Sequence, residues 1–282
     1  MKRLGILIPV IFIFFFQTMS AYAVSNKPIH WGFKKSKNEQ PAEAGAEYDL
    51  LLDKYGAFYK GSPNHKVVYL TFDNGYENGF TEKTLDILKQ ENVPATFFVT
   101  GHYLKSAPEL AKRMVNEGHI IGNHSWSHPD TTQISDEKMI NELDRVKQAT
   151  EEITGQTGMQ YLRPPRGILS ERTLKVALDA GYIHVLWSVA FVDWQVKNQK
   201  GWKYAYDSIM SQIHPGAVIL LHTVSQDNVE ALEKVIQDLK KRGYVFKSLD
   251  DLMMREKVMI PMANKMNRDD NISDPTNSSQ TE

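Results

Sequence analysis

Several apolar segments of the sequence end in side chains that could carry out chemistry. The segment from Val67 to Leu70 runs into TFDNG, in which Asp73 is followed by an amide, Asn74. A later segment runs into NHSWSH, which contains His124 and His128. Because two imidazoles four residues apart can bind one divalent cation, NHSWSH is a candidate metal site.

Three further segments carry residues of the same kind: Arg163 and Arg166 in RPPRG, Asp193 and Trp194 in FVDW, and His222 in LLHT. Asp73 could act as a general base toward a metal-activated water, and a protonated His222 could give a proton to a departing amine. Asp193 could orient His222 and raise its pKa, while Arg163 could keep Asp73 ionised. Together these residues predict a metal-assisted hydrolase that acts on an amide or an ester.

Each residue alone has a simpler explanation. Asp73 could cap the turn before Gly75, His222 could be a core histidine, and Asp193 could only pair with an arginine. An isolated histidine pair four residues apart is often a surface feature. The catalytic interpretation depends on all five segments delivering such residues together.

The spacing of apolar residues predicts the elements that position these side chains. Seven strands are predicted, at Lys66–Asp73, Ala95–Thr100, His119–Asn123, Gln160–Arg163, His184–Ala190, Ala217–His222 and Tyr244–Leu249. Six helices separate them, at Glu82–Gln90, Pro108–Glu117, Asp136–Thr154, Ser170–Ala180, Tyr204–Ile213 and Val229–Arg242. Alternating strands and helices predict an α/β fold with parallel strands. A TIM-like barrel is favoured over an open sheet, because it brings the strand ends to one rim.

The two ends of the chain have compositions different from the middle. Lys2 and Arg3 precede an apolar run, and Ala21–Tyr22–Ala23 follows it, which predicts a signal peptide over residues 1–23. An uncleaved membrane anchor is the alternative, although the run is shorter than the roughly 20 residues of a spanning helix. We expect an N-terminal arm at 24–65 with a short helix around Glu47–Tyr55, a catalytic domain at 66–254 and a disordered polar tail at 255–282.

Composition excludes some classes of function. The chain has 33 Lys and Arg against 34 Asp and Glu, so no overall basic field attracts nucleic acid. It contains no cysteine, which excludes disulfides and thiol chemistry. Recognition of a charged ligand must therefore be local.

The five motifs TFDNG, HSWSH, RPPRG, AFVDW and LLH resemble, in this order, those of the polysaccharide deacetylase family, also called carbohydrate esterase family 4 or the NodB homology domain. The resemblance covers about residues 66–252. It implies a deformed (β/α) barrel and metal-dependent removal of acetyl from an N-acetylated sugar polymer. By position it makes Asp73 the base, His222 the acid, His124 and His128 metal ligands, Arg163 and Asp193 their tuning residues, and Trp194 a wall of the acetyl pocket.

The chain departs from the family pattern at three positions. The second acid of the first motif, usually a metal ligand, is Asn74, a neutral and weaker ligand. Arg166 replaces an aromatic residue of the family's third motif, and Ala190 replaces the first acid of its fourth motif. The ligand set suits one divalent ion, with zinc expected and cobalt, manganese or nickel as alternatives.

With these substitutions, the sequence resembles a subgroup that deacetylates N-acetylmuramic acid in spore-cortex peptidoglycan of Bacillus, leading to muramic δ-lactam. The resemblance implies an exported enzyme of the cell wall or spore cortex that acts on the glycan strand after a peptide-cleaving amidase. Such an enzyme has no stable membrane span after signal cleavage, and we expect a monomer.

Arg166 offers a reason for this specificity, because a guanidinium can pair with the lactyl carboxylate of a peptide-free muramic residue. A salt bridge from Arg166 to a nearby loop acid is the alternative. Two other functions remain open: a deacetylase of N-acetylglucosamine residues in peptidoglycan or chitin oligosaccharides, and a glycan-binding module with weak or no catalysis.

Overall fold

The computed structural model describes residues 24–255. The predicted signal peptide, and the predicted tail from residue 256 onward, lie outside the described residues. Among residues 24–255, no helix combines the length and the apolar character that crossing a membrane requires.

The described chain alternates short strands with helices. The strands are β1 (Ile29–His30), β2 (Val67–Asn74), β3 (Ala95–Val99), β4 (Ile120–Asn123), β5 (Tyr161–Leu162), β6 (Ile168–Leu169), β7 (Ile183–His184), β8 (Val218–His222) and β9 (Val245–Phe246). The helices are α1 (Ala46–Lys54), α2 (Thr81–Gln90), α3 (Gly101–Ser106), α4 (Pro108–Asn116), α5 (Asp136–Thr154), α6 (Glu171–Asp179), α7 (Trp202–Met210) and α8 (Gln226–Lys241).

Seven strands form one sheet in the order β7-β5-β4-β3-β2-β8, with β9 also paired to β2. All of its pairings are parallel. The ends of this path meet through an isolated bridge between Val189 and Ile219 instead of a full ladder. The prediction of a deformed barrel with about seven parallel strands is therefore confirmed.

The central strand β2 is buried along its whole length, as expected for a parallel strand covered on both faces. The side chains on its helix-covered face pack with those of β3; the rings of Phe72 and Phe97 stack with centroids 5.0 Å apart. The helices close over this core. Ser135 caps the start of α5, and Gly155 ends α5 in the left-handed conformation, with φ 75°.

The N-terminal arm is built into the barrel wall. Strand β1 pairs antiparallel with β6, so that Ile29 faces Leu169. The indole nitrogen of Trp31 donates to the carbonyl of Trp187 over 3.0 Å, and Phe58 forms a parallel bridge with Val185. The arm therefore supports the segment that follows β5, where Arg166 lies.

Candidate active site

The carboxyl ends of the parallel strands meet at one rim, which holds a cavity of about 790 Å³. Asp73 at the end of β2 is the register partner of His222 at the end of β8. Six of the nine predicted site residues line the cavity: Asp73, His124, His128, Arg166, Trp194 and His222. The other three are Asn74, Arg163 and Asp193, which are buried residues that contact or adjoin the cavity wall.

Asp73 is held by a buried arginine. Its Oδ1 accepts a hydrogen bond from Arg163 Nη1 over 2.8 Å, while its Oδ2 lies 3.5 Å from His124 Nε2. Burial acts to raise the pKa of Asp73, but nearby positive charge, chiefly that of Arg163, outweighs it and lowers the pKa below its usual value. Asp73 is therefore ionised at neutral pH and can accept a proton.

Arg163 is fully buried, and each of its three guanidinium nitrogens donates a hydrogen bond. Nη1 also donates to Thr71 Oγ1 over 2.9 Å, and Nε donates to the carbonyl of Val185 over 3.1 Å. The guanidinium carbon lies 4.1 Å from the ring centroid of Phe98. These contacts fix Arg163 as a positioning residue behind Asp73, without access to a ligand.

His222 is oriented by Asp193. Its Nδ1 donates to Asp193 Oδ1 over 2.8 Å, and its backbone N–H donates to Oδ2 over 2.8 Å. This arrangement leaves Nε2 as the ring atom available to the cavity. Burial acts to lower the pKa of His222, but the charge and hydrogen bond of Asp193 outweigh it, so the pKa is raised. His222 can therefore hold a proton at neutral pH beside an ionised Asp73.

Trp194 follows Asp193 on the loop beside this pair. Its ring centroid lies 5.6 Å from that of His222, and the side chain is 51% exposed. The indole therefore forms a wall of the cavity next to the ring nitrogen that would donate a proton.

The two histidines of NHSWSH lie side by side, with ring centroids 4.8 Å apart. His124 Nδ1 donates to the carbonyl of Arg163 over 2.9 Å, which directs Nε2 toward Asp73. Burial lowers the pKa of His124, against the opposing charge of Asp73. Part of His128 faces solvent, yet desolvation by the cavity wall lowers its pKa to about 4. Both rings are therefore neutral near pH 7, the form that binds metal.

A buried acid holds the loop that carries these histidines. Glu142 on α5 accepts hydrogen bonds from the backbone N–H and the hydroxyl of Ser127, over 2.7 and 2.9 Å. Ser125 and His128 adopt left-handed backbone conformations, with φ 62° and 57°. Such conformations are costly for residues other than glycine and occur where surrounding contacts impose them.

Asn74 presents a buried oxygen that has no partner in residues 24–255. Its Nδ2 donates to Thr223 Oγ1 over 2.8 Å, but no donor reaches Oδ1. An unsatisfied buried oxygen is unfavourable, and a cation would relieve that cost. Two neutral imidazoles and an amide oxygen therefore fit a divalent ion chemically. No group of three or more His, Cys, Asp or Glu side chains arranged for a metal occurs in the described chain, where the third candidate ligand is an amide.

Arg166 lines the cavity in a left-handed conformation, with φ 58°. Its Nη2 lies 4.0 Å from Asp130 Oδ2, and 53% of its side chain is exposed. The alternative partner, a loop acid, is thus present at the outer limit of an ion pair. The guanidinium keeps most of its donors available to a ligand in the cavity.

Asn228, in the first turn of α8, belongs to the site although no sequence motif indicates it. Its Nδ2 donates to Asp193 Oδ2 over 2.5 Å and to the carbonyl of His222 over 3.1 Å. Ser225, three residues earlier and three residues after the end of β8, caps α8. The cap at Ser225 could have predicted that a helix begins near the rim. It could not have predicted that Asn228 contacts Asp193.

The chain is similar to known proteins over most of its length. Residues 60–185 match the polysaccharide deacetylase family model. The peptidoglycan-N-acetylmuramic acid deacetylase PdaA of Bacillus subtilis is 57% identical over 241 residues, 86% of this chain and 92% of that protein. The chain belongs to the polysaccharide deacetylase family.

Other polysaccharide deacetylases are similar over the same region. The solved structure of B. subtilis PdaA, described as a family 4 carbohydrate esterase, matches with a TM-score of 0.81 over 83% of this chain and all of that one. A peptidoglycan-N-acetylglucosamine deacetylase of Bacillus cereus is 35% identical over 210 residues, 73% of this chain and 75% of that protein. The family thus includes proteins named for either sugar of peptidoglycan.

Proposed function

We propose that this polysaccharide deacetylase removes the N-acetyl group from N-acetylmuramic acid residues of peptidoglycan, toward the muramic δ-lactam of spore cortex. The observation that carries the proposal is the pairing of Asp73 with His222 on adjacent strand ends. Their partners set an ionised base next to a protonated acid in one cavity. The similarity to a muramic acid deacetylase over most of both chains supports the choice of sugar.

His124, His128 and Asn74 would hold one divalent ion, with zinc expected and cobalt, manganese or nickel also suited to these donors. Such an ion, when bound, activates a water molecule and polarises the acetyl oxygen. The neutral amide of Asn74 supplies no charge, so we expect weaker retention than in a site with a third carboxylate.

The remaining work belongs to the chain's own side chains. Asp73 Oδ2 takes the proton of the attacking water, because Oδ1 is occupied by Arg163. His222 gives its Nε2 proton to the sugar nitrogen as the carbon–nitrogen bond breaks, and Asp193 stabilises the imidazolium until then. Trp194 forms a wall beside the acetyl methyl group. Acetate and a free amine are the products.

Arg166 supplies the specificity in this proposal. A muramic residue without its peptide carries a lactyl carboxylate, which a guanidinium can bind with two hydrogen bonds. A peptide-linked residue has an amide at the same position and loses that charge. The enzyme would therefore act after a peptide-cleaving amidase. We also propose that it is exported and acts as a monomer in the cell wall or the spore cortex.

The test compares acetate release from peptide-free muramyl glycan and from chitin oligomers. Arg166→Ala should raise KM for the muramyl glycan by about ten-fold or more, as expected for a charge-assisted hydrogen bond, and leave chitin turnover unchanged. Arg163→Ala should abolish both activities. Intact muramyl activity in Arg166→Ala would show that Arg166 does not bind the carboxylate. Preference of the wild type for chitin would favour the glucosamine alternative.

A glycan-binding module without catalysis makes a different prediction. Acetate release by the wild type, lost in both Asp73→Asn and His222→Ala, excludes that alternative. Release that persists in both variants would contradict the assigned base and acid.

A further inference from the structure

Trp126 lies between His124 and His128 in NHSWSH and forms part of the cavity wall. Its ring packs directly over Gly101, where a Cβ atom would collide with the indole. The backbone N–H of Gly101 also donates to the carbonyl of Trp126 over 3.1 Å. The position of this ring is therefore fixed by the start of α3.

Two cations flank the same ring. Lys105 Nζ on α3 lies 5.0 Å from the Trp126 centroid, and the guanidinium carbon of Arg145 on α5 lies 4.2 Å from it. Both residues are exposed. Within residues 24–255 neither one forms a salt bridge, whereas Arg113 on α4 pairs with both Asp86 and Glu117.

The surrounding charge favours an anionic ligand. Among residues 24–255, Asp73 is the one carboxylate that lines the cavity, and it already forms an ion pair with Arg163. Arg166 and Trp126 both line the cavity. An anion bound beside Trp126 thus meets two exposed cations, Lys105 and Arg145, whose donors form no salt bridge within residues 24–255.

We propose that Lys105, Trp126 and Arg145 form a second carboxylate-binding site for the glycan strand. The proposal rests on the proposed function. In a peptide-free strand the lactyl carboxylates recur on every second sugar. A muramic residue in the catalytic cavity therefore has a charged neighbour one disaccharide away along the same strand. The site would bind that neighbour and select strands from which several peptides have been removed.

Equilibrium binding in an Asp73→Asn background tests the site without turnover. The ligands are a peptide-free tetrasaccharide with two muramic residues and a disaccharide with one. Lys105→Met with Arg145→Met keeps the aliphatic packing and should raise Kd for the tetrasaccharide about five-fold, as expected for exposed ion pairs. Kd for the disaccharide should not change. Lys147→Met, on α5 two residues from Arg145 and so on another face, is the matched control and should change neither value.

Charge reversal provides a second variant. Lys105→Glu should weaken tetrasaccharide binding more than Lys105→Met, and added salt should reduce the difference. Equal Kd changes for both ligands, or no change for the tetrasaccharide, would overturn the second site. Acetate release by the wild type from the disaccharide is measured in parallel. Its absence would contradict the proposed function, whereas normal release with length-independent binding contradicts only the second site.

Discussion

At the scale of single residues, the site depends on two buried carboxylates with different partners. Asp73 contacts a permanently charged guanidinium, Arg163, while Asp193 contacts an imidazole that can lose its proton, His222. The first pairing lowers the pKa of Asp73 and the second raises the pKa of His222, as the proposed base and acid require. The different partners therefore give Asp73 and His222, on the neighbouring strands β2 and β8, opposite protonation states at neutral pH.

Asp193→Asn should shift the pH dependence of kcat. Asp193 raises the pKa of His222, so the acid form persists as pH rises to neutral and above. Without that charge, burial lowers the pKa, and the alkaline limb of the kcat profile should move to lower pH. The rate at neutral pH should fall about a hundred-fold.

Asp227→Asn is the matched control for this measurement. Asp227 accepts hydrogen bonds from the backbone of Lys200 and Gly201 and does not contact His222. The alkaline limb of the kcat profile of Asp227→Asn should stay at the wild-type position. An unchanged limb in Asp193→Asn would contradict the role of Asp193.

Asn228→Ala should lower kcat about ten-fold, because it removes a hydrogen bond to a charged group. If Asn228 acts by holding Asp193, the same change should cost little more in an Asp193→Asn background. A double-mutant cycle on kcat, with thermal unfolding of each variant, measures this coupling. A full ten-fold loss in both backgrounds would mean that Asn228 acts independently of Asp193.

At the scale of elements, the N-terminal arm and the segment after β5 support one another. Trp31 N–H donates to the carbonyl of Gly167 over 2.8 Å, directly beside Arg166. Gly167 has φ 65°, and a Cβ atom there would lie 2.7 Å from the Trp187 ring and 3.2 Å from Trp31. The glycine thus allows the arm and Trp187 to pack against the Arg166 loop.

Gly167→Ala should reduce the free energy of unfolding by more than its backbone strain alone. Gly155→Ala is the matched control, since Gly155 has φ 75° and no atom within contact distance of an added Cβ. Both changes should lose about 1 kcal/mol through strain, and Gly167→Ala about 1–3 kcal/mol more through overpacking. Denaturant unfolding measures the difference. Equal losses would contradict the packing described for Gly167.

The sequence predicted long elements well and short contacts poorly. The α5 prediction, Asp136–Thr154, matches the structure because nineteen residues carry a clear apolar period and caps at both ends. Strands β1 and β6 were missed, since two-residue strands have no detectable period. The predicted strand His184–Ala190 is wrong beyond His184. After His184 only Val185 and Val189 form isolated β-bridges, and no continuous strand follows in this segment.

The site divides in the same way. Residues such as Asp73 and His222 could be placed from sequence because each ends a recognisable apolar strand. Asn228 and Glu142 could not, because their side-chain hydrogen bonds reach Asp193 and Ser127 across the packed fold. Those contacts depend on how helices α8 and α5 sit against the barrel.

At the scale of the whole molecule, histidines buried in neutral form link stability to pH. Burial lowers the pKa of His119 to about 4 and that of His184 to about 3. His119 Nδ1 also accepts a hydrogen bond from the backbone N–H of Ala95, which requires an unprotonated nitrogen. The unfolded chain therefore binds more protons than the folded protein below about pH 6.5.

The free energy of unfolding should fall as pH decreases from about 6.5 to 4. Each such histidine contributes a slope of up to about 1.4 kcal/mol per pH unit. His184→Leu should lower the slope of the unfolding free energy against pH, between about pH 6.5 and 4, by the contribution of one histidine. Near pH 8 the slope of the variant should equal that of the wild type. Denaturant unfolding across this range measures it. A variant slope equal to the wild-type slope would show that His184 does not bind a proton on unfolding.

The central claim is that the protein deacetylates muramic residues whose peptide has been removed. Mass spectrometry of cortex-type glycan, incubated with enzyme before and after peptide removal and with or without chelator, tests it most directly. We predict loss of acetyl from muramic residues of the peptide-free glycan alone, with no loss when chelator is present or when Asp73→Asn replaces the wild type. Acetyl loss from glucosamine residues, or from peptide-bearing muramic residues at the same rate, would contradict the account.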